Sequence, residues 1–126
     1  VGEALLQTHL SYLRPLEALL DTGTIKGLAH ITGGGLTDNI PRILPEGTAV
    51  NIRKGSWPVL PIYESMRSIG NVSDSEMYRT FNMGVGMVIV CAPENVSTIK
   101  DHFESIGESS FEIGKVVEGN REVSIE

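Results

Sequence analysis

Three consecutive glycines, Gly33-Gly34-Gly35, set between an apolar β-branched run and an amphipathic one, constrain this chain more than any other feature. Before them, Gly27-Leu28-Ala29-His30-Ile31-Thr32 reads as a strand. After them, Leu36, Ile40, Ile43 and Leu44 fall on one face of a helical period. Glycine weakens strand and helix interiors by about 0.5–1 kcal/mol per residue. A triplet therefore marks a place where the backbone takes positive φ angles or comes close to another group. A strand, a glycine turn and a helix N-terminus together aim N–H groups at one spot, which suits an anion. The same pattern also serves a tight connection that only lets the helix pack on the strand. No P-loop Lys-Ser/Thr follows the glycines, so spacing alone leaves both readings open.

Around this centre, helices and strands interleave. Residues 1–11 form a lead-in arm in which His9 and Tyr12 lie close together. Residues 14–21 are expected as a helix, with Pro15 in its first turn, Gly23 as its stop and Leu16, Leu19 and Leu20 as its buried stripe. Thr37, Asp38 and Asn39 read as caps of the helix after the glycines, with Asn39 alternatively aimed at a ligand. Pro41 keeps that helix short or kinked. Residues 48–53 alternate as a strand, and the turn at 54–58 carries Trp57 as a packing anchor.

Leu60, Ile62, Tyr63, Met66 and Ile69 predict a helix ended by Gly70. Ser73 and Glu76 form a capping box that opens a second, short helix. This runs into a second glycine turn, Phe81-Asn82-Met83-Gly84-Val85-Gly86, and then into the continuous apolar run 87–92, expected as a central buried strand. Asn95 caps a helix through Val96, Ile99, Phe103 and Ile106, with Gly107 as its stop and His102 on its solvated side. Residues 110–117 alternate as a strand, and Glu118-Gly119-Asn120 turns it into a hairpin with residues 121–125. The interleaving predicts an α/β (α+β) fold, a layered mixed β-sheet with packed helices.

The length of 126 residues fits one domain with a real core. A net charge of −6 and a pI near 5.0 argue against general nucleic-acid or anionic-membrane binding. Cys91 is the only cysteine, so neither an intrachain disulfide nor a cysteine zinc cluster is expected, and a reducing, cytoplasmic setting fits best. No run approaches the roughly 20 apolar residues of a membrane span, and no secretory signal is evident. The opening Val1-Gly2-Glu3 lacks a Met, as expected of a fragment or of a domain that follows another.

The histidines His9, His30 and His102 lack metal-site spacing, and no metal held by this chain alone is expected. Nothing like a nucleophile elbow is present. Cys91 reads as a small core residue, since no base lies near it in sequence. The credible site is a composite of the two glycine turns. His30 and Thr32 end one strand, Asn82 and Gly84 lead into another, and Arg42 or Arg79 adds charge. Were the two strands neighbours, both turns would open at one end of the sheet, where α/β ligands usually bind. His30, alternating with apolar residues, fits a core position equally well.

His30-Ile31-Thr32-Gly33-Gly34-Gly35-Leu36, then Asn39-Ile40-Pro41-Arg42, then Met77-Tyr78-Arg79-Thr80-Phe81-Asn82-Met83-Gly84-Val85-Gly86-Met87 resemble aminoimidazole ribonucleotide synthetase, the phosphoribosylformylglycinamidine cyclo-ligase family of purine biosynthesis. Order, spacing and the closing Ile113-Gly114-Lys115-Val116-Val117 agree, and the likeness covers nearly the whole chain. Gly2-Glu3-Ala4-Leu5-Leu6 resembles the family's lead into its C-terminal domain, with Gln7-Thr8-His9 replacing the usual Thr-Pro-Thr.

The resemblance implies that residues 1–126 are a single C-terminal domain of an enzyme whose N-terminal, ATP-binding and dimer-forming domain is absent. The implied reaction closes the imidazole ring of formylglycinamidine ribonucleotide with ATP and Mg²⁺, bound mainly by the absent domain, in a cytoplasmic homodimer. By the same resemblance, Gly33, Gly34 and Gly35 would hold a phosphate or substrate oxygen through backbone N–H groups. His30, Thr32 and Asn39 would flank them, and Asn82 and Gly84 would form the adjoining wall. No residue is assigned a catalytic proton transfer, and the isolated domain is expected to be inactive. The alternatives are the C-terminal domain of a related ATP-using enzyme, such as formylglycinamidine ribonucleotide synthetase, or a non-catalytic binding or assembly module.

Overall fold

A computed structural model describes residues 2–126; Val1, the first residue of the expected arm, lies outside the described residues. The elements in chain order are α1 (Gly2–Leu5), α2 (Leu13–Leu20), β1 (Ile25–His30), α3 (Gly35–Asn39), β2 (Thr48–Ile52), α4 (Pro61–Gly70), α5 (Asp74–Thr80), β3 (Met87–Cys91), α6 (Val96–Ser105), β4 (Gly114–Glu118) and β5 (Val123–Ile125). Pro41 ends α3 after five residues and continues it as a 3-10 turn, Ile40–Ile43. The expected α/β architecture is present, with the strands divided between two sheets. Strand β1 pairs antiparallel with β3, and β2 is the centre of a mixed sheet ordered β4-β2-β5.

The expected hairpin between residues 110–117 and 121–125 does not form. Strand β4 starts only at Gly114 and is antiparallel to β2, whereas β5 lies on the other side of β2 and runs parallel to it. Neighbouring strands stand about 4.8 Å apart, so β4 and β5 are about twice that distance from each other, too far for a tight turn. The link between them crosses the start of β2. There the Gly119 N–H donates to the Gly47 carbonyl (3.1 Å), and the Val50 N–H donates to that of Glu122 (3.0 Å).

Strand β3 is half-buried and pairs with β1 alone, not a central buried strand. Its unbroken apolar sequence has another cause: its two faces serve different cores. Met87, Ile89 and Cys91 pack with Leu16 and Leu19 of α2 and with Ile99 and Phe103 of α6. Val88 faces the main core, built on Ile31, Leu36, Ile40, Ile52 and Met77. His102 belongs to the smaller core's wall rather than to solvent: its Nε2–H donates to the Pro15 carbonyl at 2.8 Å, tying α6 to α2.

Several edges differ from expectation because the helices are short or peripheral. Leu20 is 49% exposed, since α2 buries only Leu16 and Leu19. Helix α4 fully buries none of its residues, leaves Ile69 and the flanking Leu60 at the surface, and ends at Gly70 as expected, with left-handed Asn71 as its C-cap. Ile106 is likewise exposed beyond the end of α6. Ser73 caps α5 as expected, but the Glu76 carboxylate turns to Arg79 (3.1 Å). Asn95 caps α6 without a side-chain bond, because a 3-10 turn, Pro93–Asn95, feeds that helix directly.

Trp57 is the anchor its sequence context predicts. It is buried, Tyr78 packs edge-on to it at 6.4 Å, and its Nε1–H donates to the Met83 carbonyl at 2.9 Å. Trp57→Phe is expected to cost about 2 kcal/mol in urea unfolding, because it strands a buried carbonyl and leaves a gap. The bond holds the second glycine turn in place, so the fold's largest ring serves the site directly.

Candidate functional site at the paired glycine turns

Because β1 and β3 are antiparallel, with His30 opposite Met87, the end of one strand meets the start of the other. The two glycine turns therefore lie side by side at one end of the sheet. They are fastened at two points. The Ile31 N–H donates to the Gly86 carbonyl (2.9 Å), and Gly35 abuts the carbonyl oxygens of Tyr78 and Phe81.

The three glycines do three different things. Gly35 is buried with φ +57°, and a Cβ there would overlap the Tyr78 carbonyl oxygen. Gly34 has φ +97° and precedes α3 as its cap, so neither Thr37, Asp38 nor Asn39 takes that place. Gly33 is exposed, and nothing lies within 4 Å of where its Cβ would stand. The Gly35 N–H is taken by the Thr32 carbonyl (3.0 Å), while those of Gly33 and Gly34 donate to no backbone carbonyl among the described residues.

Asn39 supports this turn from below. It is only 4% exposed, and its Nδ2 donates to the carbonyls of Gly35 (2.8 Å), Gly33 (3.2 Å) and Thr32 (3.4 Å). Its donors are committed to the turn rather than offered to a ligand. Thr32 and His30 are exposed, so His30 is a rim residue and not part of the core.

Two residues beside His30 carried little signal in the sequence. The rings of His9 and Tyr12 stand edge-on to His30, with centroids 5.5 and 5.8 Å away. The Tyr12 hydroxyl rests against Gly86, where a Cβ would overlap it. Burial, with Glu108 adding to it, pushes that hydroxyl's pKa up, so Tyr12 stays a neutral phenol at pH 7. The lead-in arm thus reaches the end of β1 and, through Tyr12, the second glycine turn. Only the short spacing from His9 to Tyr12 hinted at this.

On the opposite wall, Asn82 Oδ1 accepts from the Gly84 N–H (3.0 Å) and from the Tyr63 hydroxyl. Gly84 is exposed. Arg79 is engaged with Glu76, and Arg42 is exposed on the 3-10 turn. Burial raises the Cys91 pKa, with Glu112 and Glu94 adding to it, so it remains a thiol suited to packing. Among the described residues, no three His, Cys, Asp or Glu side chains gather as a metal site would. The free N–H groups of Gly33 and Gly34 suit an oxyanion rather than Mg²⁺, whose ligands are oxygens.

Residues 1–125 match the family model described as AIR synthase related protein, C-terminal domain. The chain belongs to this family. Similar relatives include the phosphoribosylformylglycinamidine cyclo-ligases of Brevibacillus brevis, 45% identical over 98% of this chain, and of Geobacillus thermodenitrificans, 46% identical over 94%. The chain spans only 36% and 34% of those two proteins, about a third of their length. Among solved structures, E. coli HypE, a hydrogenase maturation protein, superposes with a TM-score of 0.68 over 92% of this chain and 36% of its own, at 19% identity. A chain of a HypE–HypF complex gives the same TM-score over 98% of this chain and 43% of that one, at 20% identity. These two likenesses bear on the fold, which is that of an AIR synthase C-terminal domain. No helix among the described residues is long and apolar enough to cross a membrane.

Proposed function

We propose that this chain is the C-terminal domain of an ATP-dependent phosphoribosylformylglycinamidine cyclo-ligase and lines the substrate cleft with its two glycine turns. The observation that carries this reading is 45–46% identity to cyclo-ligases over 94–98% of the chain. The placement of both motifs at one end of a sheet supports it. In this reading the amide oxygen of formylglycinamidine ribonucleotide is activated by phosphoryl transfer from ATP, an internal nitrogen attacks, and phosphate leaves.

The contribution of this chain is to bind and orient. The N–H groups of Gly33 and Gly34, with His30, Thr32, Asn82 and Gly84 around them, meet a phosphate or substrate oxygen, while Gly35 and Asn39 hold the turn in shape. ATP and Mg²⁺ are held mainly by an N-terminal domain, through which the enzyme forms a cytoplasmic homodimer.

The test joins this chain to the N-terminal two-thirds of the Brevibacillus brevis relative and follows ATP-dependent formation of aminoimidazole ribonucleotide. Activity is expected only with both parts, and a drop of at least about tenfold on Gly33→Val, a change the open surface tolerates. Ring closure by this chain alone would overturn the division of labour. A folded but inactive pair would overturn the assigned substrate and turn attention to the formylglycinamidine ribonucleotide synthetase reaction.

A further inference from the structure

Tyr63 was expected only as part of the apolar stripe of α4, yet its hydroxyl makes that helix's contact with the site. Helix α4 has no fully buried residue. Tyr63 leans on Phe81, with ring centroids 6.2 Å apart, and donates its O–H to Asn82 Oδ1. The same oxygen accepts the Gly84 N–H at 3.0 Å. A backbone N–H can only donate, so the Asn82 atom facing it is the oxygen and not the amide nitrogen. With both bonds on Oδ1, the carboxamide cannot flip, and its Nδ2 points the other way.

That nitrogen donates to no protein group among the described residues. No buried side-chain nitrogen or oxygen lacks a partner among them, so Nδ2 reaches solvent. The turn that carries Asn82 is held against the first one at both ends, by the Phe81 carbonyl that touches Gly35 and by the Gly86 carbonyl that holds the Ile31 N–H. The two N–H bonds of Asn82 are therefore free donors on the second glycine turn, which lies beside the first. Two such donors call for acceptor oxygens, which a phosphoryl group supplies.

We propose that Tyr63 is a positioning residue that locks the Asn82 carboxamide so that its N–H pair binds a phosphate or phosphoryl oxygen at the paired glycine turns. The choice of a phosphoryl ligand rests on the cyclo-ligase reading; the locked amide does not. Tyr63 itself touches no ligand, and its effect passes through Asn82.

The experiment titrates ¹⁵N-labelled chain with inorganic phosphate and follows the Asn82 Nδ2 resonances. Those of Asn39, whose donors are spent inside the turn, serve as the internal control. The Asn82 pair is expected to move and that of Asn39 to stay. Tyr63→Phe is expected to weaken phosphate about fivefold to tenfold, the worth of one orienting hydrogen bond. Asn82→Asp keeps an oxygen for Gly84 and Tyr63 but removes both donors, so the fold survives and phosphate binding is lost. In the joined enzyme, Tyr63→Phe is expected to raise KM with kcat nearly unchanged. A stationary Asn82 pair, or equal phosphate affinity in Tyr63→Phe, would overturn the inference even in an enzyme that closes the ring. A responsive Asn82 pair in a protein without cyclo-ligase activity would uphold it for another phosphate ligand and sink only the assigned reaction.

Discussion

Gly35→Ala is expected to cost the domain about 4 kcal/mol or to prevent folding, whereas Gly33→Ala, two residues away, is expected to change stability by less than about 0.5 kcal/mol. At Gly35 two penalties coincide. The left-handed backbone costs an L-residue about 1–2 kcal/mol, and the new Cβ would overlap the Tyr78 carbonyl and stand 2.7 Å from that of Phe81. Both obstacles are backbone at the end of α5 and cannot swing aside as a side chain does. At Gly33 neither penalty exists. Denaturant unfolding of the two variants checks the contrast. It also identifies Gly33 as the glycine to use when asking about binding, because Gly34→Ala would combine a strained φ of +97° with pressure on Asp38.

Asn39→Ala is expected to lower stability by about 3 kcal/mol, or the thermal midpoint by about 10–15 °C. The substitution takes from the carbonyls of Thr32, Gly33 and Gly35 their shared donor, and the bond to Gly35 is fully buried. Asn39→Asp, of the same size, is expected to be at least as harmful, since it faces carbonyl oxygens with acceptors. Equal harm from Ala and Asp, with rapid amide exchange appearing at Gly35, would show that the donors and not the volume hold the turn. Midpoints within 2–3 °C of the parent chain would mean that the turn is held by its other contacts.

The strand, the glycine turn and the short Pro41-limited helix were legible because each depends on local chemistry. So was the meeting of the two turns, once β1 and β3 are taken as neighbours. What could not be read was anything decided by a third element. The Glu118-Gly119-Asn120 turn is an ordinary hairpin signal until β2 is inserted between the strands it joins. The apolar run of β3 looks the same whether it lies in mid-sheet or faces two cores. Gly33, Gly34 and Gly35 are identical letters, and only the approach of α5 and the side chain of Asp38 distinguish them. His30 alternates with Leu28 as a core residue would, but β1 ends there and its ring is left at the rim. Tyr63 and His9 had no motif to announce them, because their roles arise from elements far away in sequence.

The strand pairing also bears on how the chain reaches this state. Among the described residues, no strand is bonded to its neighbour in sequence: β1 waits for β3, and β2 for β4 and β5. The first ladder bond of either sheet must close a loop of about sixty residues, at an entropic cost that no local hairpin defrays beforehand. Folding is therefore expected to be slow for a domain of this size. During synthesis, β2 remains an unpaired edge until the residues up to 118 have emerged, and it gains its second partner only with 123–125. The central strand of the mixed sheet is the segment longest exposed to the wrong company.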